Sequence, residues 1–154
     1  MALSYKRATL DDLEMLTETR IEVLRAANNL DGSVDMTEVK KQSYDYYKKA
    51  LSDETHIAYL VFDENVFAGA GGISFFRVMP TFHNPTGTKA YIMNMYTQPD
   101  YRRKGIAYKI LDFLVSEAKE KGISAISLEA TRMGRPLYEK YGFIKMNDEM
   151  ELPG

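Results

Sequence analysis

Tyr91-Ile-Met-Asn-Met-Tyr-Thr-Gln-Pro-Asp-Tyr-Arg-Arg-Lys-Gly-Ile-Ala107 contains the sharpest change of pattern in the chain. Residues 89–97 predict an apolar strand that stops before Pro99, and a basic turn follows. Residues 104–121 then place Ile106, Ile110, Leu114 and Ala118 at helical spacing, with Leu111 and Phe113 flanking and Gly122 as the stop. N–H groups at a helix start lack intrahelical partners and carry partial positive charge, so they bind anions, phosphate above all. Gly105 lets the backbone approach a ligand closely, Ala107 keeps the first turn uncrowded, and Arg102, Arg103 and Lys104 add full charges. A pyrophosphate suits such a turn. Taken alone, the loop reads equally well as a basic, solvated helix start, because one glycine among cations is a weak pattern.

Working outward, residues 5–8 predict a short strand, and Thr9-Leu10-Asp11-Asp12 has the form of a helix cap with an acid three places on. Leu13, Leu16, Val23, Leu24 and Ala27 follow at helical spacing as far as 28–32. A second helix spans 36–51, with Tyr44, Tyr47 and Leu51 on one side. Strands are predicted over 57–62 and 66–78, joined by an Asp63-Glu64-Asn65 hairpin turn. Gly69, Gly71 and Gly72 inside the second strand suggest a bulge or a close backbone approach. Residues 80–87 form a polar, proline-punctuated loop. Downstream, 123–130 reads as a strand, 134–141 as a short helix and 143–152 as a last strand or tight hairpin. The order β-α-α-β-β-β-α-β-α-β describes an α+β fold, a mixed sheet with helices on its faces.

Arg102-x-x-Gly105-x-Ala107, preceded by Pro99 and opening an amphipathic helix, resembles the CoA-pyrophosphate signature of the GNAT N-acyltransferases. In that superfamily the pattern is Gln or Arg, two residues, Gly, one residue, then Gly or Ala. Gly134-Arg-Pro-Leu-Tyr138-Glu-Lys-Tyr-Gly142-Phe143 is similar to the family's Leu-Tyr-x-x-x-Gly-Phe block, at matching spacing. The resemblance covers nearly the whole chain and is tightest over 91–143. It implies a mixed, mostly antiparallel sheet splayed between strands 4 and 5, about 91–97 and 124–130, with helices on both faces. The pantetheine arm of acetyl-CoA, the co-substrate, would enter that gap and bond backbone groups of Met95, Tyr96 and Thr97 like an added strand. The pyrophosphate would lie on Arg102, Arg103, Lys104, Gly105, Ile106 and Ala107. A backbone N–H at about Met95 would face the thioester oxygen, where negative charge grows in the tetrahedral intermediate. Thr131 stands where the family often has an asparagine that bonds the pantetheine, and its hydroxyl can still do so.

The family's general-acid tyrosine falls on Tyr138. A phenol with a pKa of about 10 can protonate the departing CoA thiolate, a role worth roughly 10²–10⁴ in rate. Read without its context Tyr138 is a core residue, since Tyr138 and Tyr141 stand at i and i+3 and one must pack inward; Tyr141 keeps that structural reading. The general base is less defined. Members with a glutamate on the fourth strand place it where this chain has Tyr91. Glu129 is the carboxylate candidate, and it reads equally as an outward strand charge. His83 could reach a substrate from the 80–87 loop, though a loop histidine is ordinarily solvated. Asn94 could order a water, and the reading leans towards no dedicated base. Met93, Met95 and Met133 fall near the site but read as gap-filling side chains. Tyr44, Tyr46 and Tyr47 could line an acceptor pocket, and Asp31 and Asp35 could attract an ammonium, each against a plain surface reading.

Composition bounds the rest. The 154 residues, with 45% apolar and 27% charged side chains, describe one globular domain over 1–154. A net charge of -2 argues against a sequence-blind grip on nucleic acid. The lack of cysteine removes disulfides, thiolate metal sites and a cysteine nucleophile, and no metal is expected. No apolar run approaches the roughly 18 residues of a membrane span, and the N-terminus turns charged too early for a signal peptide, so a cytoplasmic protein is expected. The expected activity is transfer of acetyl from acetyl-CoA to a primary amine by direct attack on the thioester. The alternative is a non-catalytic acyl-CoA-binding sensor of the same fold. The expected partners are a small-molecule or peptide amine substrate and, in a homodimer, a second copy of the chain, with neither nucleic acid nor membrane.

Overall fold

Thr9 opens the first helical segment as its spacing to Asp12 predicts. Its hydroxyl accepts the Asp11 N–H at 3.2 Å, and the Asp12 carboxylate accepts the Thr9 N–H at 2.7 Å. These bonds satisfy donors that a helix start leaves orphaned. A 3-10 turn, Leu10–Asp12, leads into α1, Leu13–Ala27, and α2 follows over Thr37–Ser52. The computed structural model describes residues 1–154. Strands β1 (Leu3–Arg7), β2 (His56–Asp63), β3 (Val66–Arg77) and β4 (Thr88–Thr97) pair antiparallel in sequence order. The short β5, Ile126–Leu128, adds to β4 in parallel. A parallel neighbour requires a crossover, which α3, Ile106–Glu120, supplies. Helix α4, Arg135–Tyr141, is the last regular element. No helix is long and apolar enough to cross a membrane.

Strand alternation sends the two faces of the sheet to different helices. Ile57, Val61, Ile73 and Ile92 meet the stripe of α3 in a core of 14 buried residues. On the other face Ala58, Leu60 and Ala70 meet Leu16 of α1 and Tyr47 of α2 in a core of six. Each fully buried Ile or Leu stabilises the fold by about 1.5–3 kcal/mol. The predicted stripe Ile106, Ile110, Leu114 and Ala118 is buried, and so is Leu111, expected only at its margin. Both expectations for the β3 glycines are met in part. A Cβ at Gly71 would collide with Ile110, so α3 lies close across the strand. The bulge sits on the partner strand, where Asn94 and Met95 stand opposite Gly71 and Asn94 has φ +58°.

Two expectations are corrected. The fifth strand spans Ile126–Leu128 rather than 123–130, because its ladder reaches only Ala90, Tyr91 and Ile92 before the β4 bulge bends the edge away. The final strand over 143–152 is absent, and 143–154 carries no helix or strand. The alternation is present, with Ile144, Met146, Met150 and Leu152 on alternate positions and all exposed. A strand also needs a partner edge, however, and β5 offers three residues of one.

Candidate active site

Strands β4 and β5 part after the Ile92–Leu128 pair. Beyond it β4 stays paired with β3, Tyr96 opposite Ala70 and Thr97 opposite Gly69, while its other edge has no strand beside it. Residues 95–97 therefore lie along the open edge of the splay, with Met95 and Thr97 on the alternate positions that face it. Arg102 then folds back, donating from Nε to the Thr97 carbonyl at 3.2 Å, which ties the basic loop to the strand end. Arg103 and Gly105 both have positive φ, +62° and +79°, the alternation that turns successive N–H groups to one side. No side chain caps α3, and no acid lies in its first turn. Residues 102–105 are exposed, whereas the Ile106 side chain is buried, so Ile106 can offer a ligand only its backbone. A Cβ at Gly105 would meet nothing within 4 Å, so the cradle is open to a ligand.

Helix α4 holds Tyr138 against Phe143, ring centroids 6.2 Å apart, with 9% of the residue exposed. Burial alone pushes its phenol pKa up, and no neighbouring charge contributes, Glu129 included. The tyrosine that packs inward is Tyr138 rather than Tyr141, which is half-buried and donates to Asp112 at 2.7 Å. The Thr131 hydroxyl oxygen accepts the Gly134 N–H at 3.0 Å and shapes the turn into α4. Glu129 is exposed just past the end of β5. It acts on Tyr91, whose phenol is held above its usual range first by burial and then by the Glu129 and Glu149 charges. Tyr138 and Glu129 are thus not electrostatically joined.

The α1/α2 face holds a site that the sequence showed only in part. A cavity of about 310 Å³ lies between these helices and the bulged end of β4, with Arg20, Tyr46, Tyr47, His56, Met93 and Asn94 in its wall. His56 is 3% exposed. Its Nδ1 lies 2.8 Å from Ser74 Oγ and 3.3 Å from the Tyr46 hydroxyl, and those two oxygens are 2.7 Å apart. Burial, then the Arg20 charge, pushes the His56 pKa down to about 4, so the ring is neutral at pH 7. Burial pushes the Tyr47 phenol up to about 12. A side chain at Gly72 would strike His56 Nε2, a buried nitrogen without a hydrogen-bond partner. Tyr46 and Tyr47 line this cavity, and Tyr44 lies outside it. Asn94 accepts from Arg20 Nη1 at 2.9 Å. His83 stays exposed beside Phe82, and Asp31 and Asp35 accept bonds from Ser33 and Thr37 in their own loop. Met95 covers Gly71 on the α3 face, and Met133 is exposed.

A splayed sheet whose open edge runs into an uncapped, basic helix start is the architecture of acyl-CoA-dependent transferases. Residues 22–143 match the model of the Acetyltransferase (GNAT) family, and the chain belongs to that family. The crystal structure of a predicted acetyltransferase with acetyl-CoA from Clostridium acetobutylicum superposes with a TM-score of 0.88, at 34% identity over 99% of this chain and 96% of that one. A GCN5-related N-acetyltransferase from Ralstonia eutropha JMP134 shares the fold, with a TM-score of 0.82 at 24% identity over 99% and 98% of the two chains. The uncharacterized N-acetyltransferase YsnE of Bacillus subtilis (strain 168) is 37% identical over 57 residues, 34% of this chain and 38% of that protein.

Proposed function

We infer that this chain is an N-acetyltransferase that takes acetyl from acetyl-CoA to a primary amine. The observation that carries the reading is the continuous run from the open β4 edge at 95–97 to the uncapped start of α3. The relative from Clostridium acetobutylicum, crystallised with acetyl-CoA, supports the same ligand here. The residues fit it: the cradle at Gly105 is unobstructed, and three cations surround N–H groups that nothing in the chain caps.

Acetyl-CoA supplies an activated acetyl thioester. The backbone of Met95, Tyr96 and Thr97 holds the pantetheine arm, and the Met95 N–H stabilises charge on the thioester oxygen. Arg102, Arg103, Lys104, Gly105, Ile106 and Ala107 hold the pyrophosphate. Thr131 spends a lone pair on Gly134 but keeps its proton, which it can donate to a pantetheine carbonyl. One N–C bond forms and one C–S bond breaks; the nitrogen gives up a proton to water, the sulfur receives one from Tyr138, and the phenolate left behind regains its proton from water. The raised Tyr138 pKa keeps that proton in place at neutral pH. Glu129 is exposed and acts through its charge on Tyr91, and no dedicated base is assigned.

The test is thiol release from acetyl-CoA against a broad amine panel, with the acetylated product weighed by mass spectrometry. Amine-dependent release is expected. Thermal stabilisation by CoA without turnover of any amine would make the chain a binding module instead.

A further inference from the structure

The cavity on the α1/α2 face carries information about the acceptor. Its remaining wall is Gln42 and Ser43, so no Asp or Glu lines it. Its one ionised group is Arg20, because buried His56 is neutral at pH 7 and Tyr47 stays protonated. None of the chain's five ion pairs involves Arg20. The acids nearest to it along α1 are engaged elsewhere, Glu18 by Lys40 and Glu22 by Gln98. Residues two apart on a helix also do not face one another. Arg20 commits one of its five N–H donors to Asn94, which fixes the plane of the fork and leaves the rest for a ligand. Its charge reaches across the cavity, depressing the His56 pKa after burial and tempering the rise at Tyr47.

We propose that this cavity takes an amine that also bears a carboxylate, an amino acid with an apolar side chain, and that Arg20 is the residue selecting it. The proposal rests on the transferase reading above and names its acceptor. A polyamine would bring further positive charge to a site whose only charge is positive. A carboxylate finds in Arg20 a planar, half-anchored fork matched to its two oxygens. Tyr46, Tyr47 and Met93 offer an apolar wall to the side chain. The spacing fits as well: Arg20 is anchored on Asn94, one residue, about 3.8 Å of Cα spacing, from Met95 at the open edge. At about 310 Å³ the cavity is at the small end of the range for ligand pockets, roughly 300–1,000 Å³.

The experiment compares apolar L-amino acids, each beside its own amide, with spermidine as the polycation, in acetyl-CoA turnover by the whole chain. The free acids are expected to exceed their amides roughly 10- to 100-fold in kcat/KM, the scale of a lost hydrogen-bonded charge pair. Arg20→Gln should erase that preference through KM, and Arg20→Lys should restore part of it. Amides or spermidine as the better acceptors, or a preference that survives Arg20→Gln, overturns the proposal. If no amine is acetylated while CoA still stabilises the fold, the transferase reading fails separately, and binding decides the cavity. Amino-acid binding to the CoA-loaded protein, read by calorimetry and lost in Arg20→Gln, keeps the proposal. Absence of such binding ends it.

Discussion

A single oxygen decides the role of Tyr138. Its ring is packed against Phe143, so Tyr138→Phe removes the hydroxyl with little change in volume. Turnover should fall roughly 10²–10⁴-fold, with amine KM and CoA affinity little altered, as read by steady-state acetylation across pH. An unchanged rate would leave proton delivery to water and would not touch the CoA site. His56 makes a different test. Its pKa falls from 6.5 to about 4 on folding, so between those values the unfolded chain binds a proton that the folded chain refuses. Stability is therefore full above about pH 6.5 and drops by about 3 kcal/mol as pH falls to 4. The depressed carboxylates Asp12, Asp31, Asp35, Asp53 and Asp63 lose their contributions only below their ordinary 3.8, which leaves the higher window to His56. Thermal unfolding from pH 7 to 4.5 should show the slope, and His56→Gln should flatten it. The Tyr138 block was legible because its landmarks are contiguous. His56 was not, because Tyr46 and Ser74 lie 10 and 18 residues away and only the sheet brings them together. The sole local signal is the alternation of His56, Ala58 and Leu60.

Among the elements, α3 was the most readable, since a period of 3.6 and a glycine at each end are local properties. The extent of β5 and the fate of 143–152 depend instead on where the β4 edge turns, a consequence of one residue, Asn94, at φ +58°. The start of α3 invites a substitution. Gly105→Glu places an L residue at φ +79°, a strain of roughly 1–2 kcal/mol, in a space with no neighbour within 4 Å. The fold should survive, while a carboxylate at the anion site repels the pyrophosphate. Acetyl-CoA at 100 times its Kd should stabilise the parent by about 2.7 kcal/mol, seen as a higher Tm, and should leave the variant unmoved. Equal stabilisation of both would place the phosphate site elsewhere.

For the molecule as a whole, the sheet keeps two unequal cores apart. Helix α3 contributes six buried residues to the larger, whereas α2 buries only Tyr47 and Ala50 along its 16 residues. The order of elements made a sheet with helices on its faces readable; the imbalance between faces was not, because it depends on which side chains the helices finally cover. The imbalance has a dynamic meaning. Fewer buried residues make the layer that walls the Arg20 cavity the expected weaker cooperative unit, with local opening there ahead of the α3 layer. Amide hydrogen exchange should therefore run faster in α2 than in α3, and an occupied acceptor cavity should slow the first while leaving the second alone. Such a protein would keep its CoA cradle rigid and admit the acceptor through the breathing of a single helix.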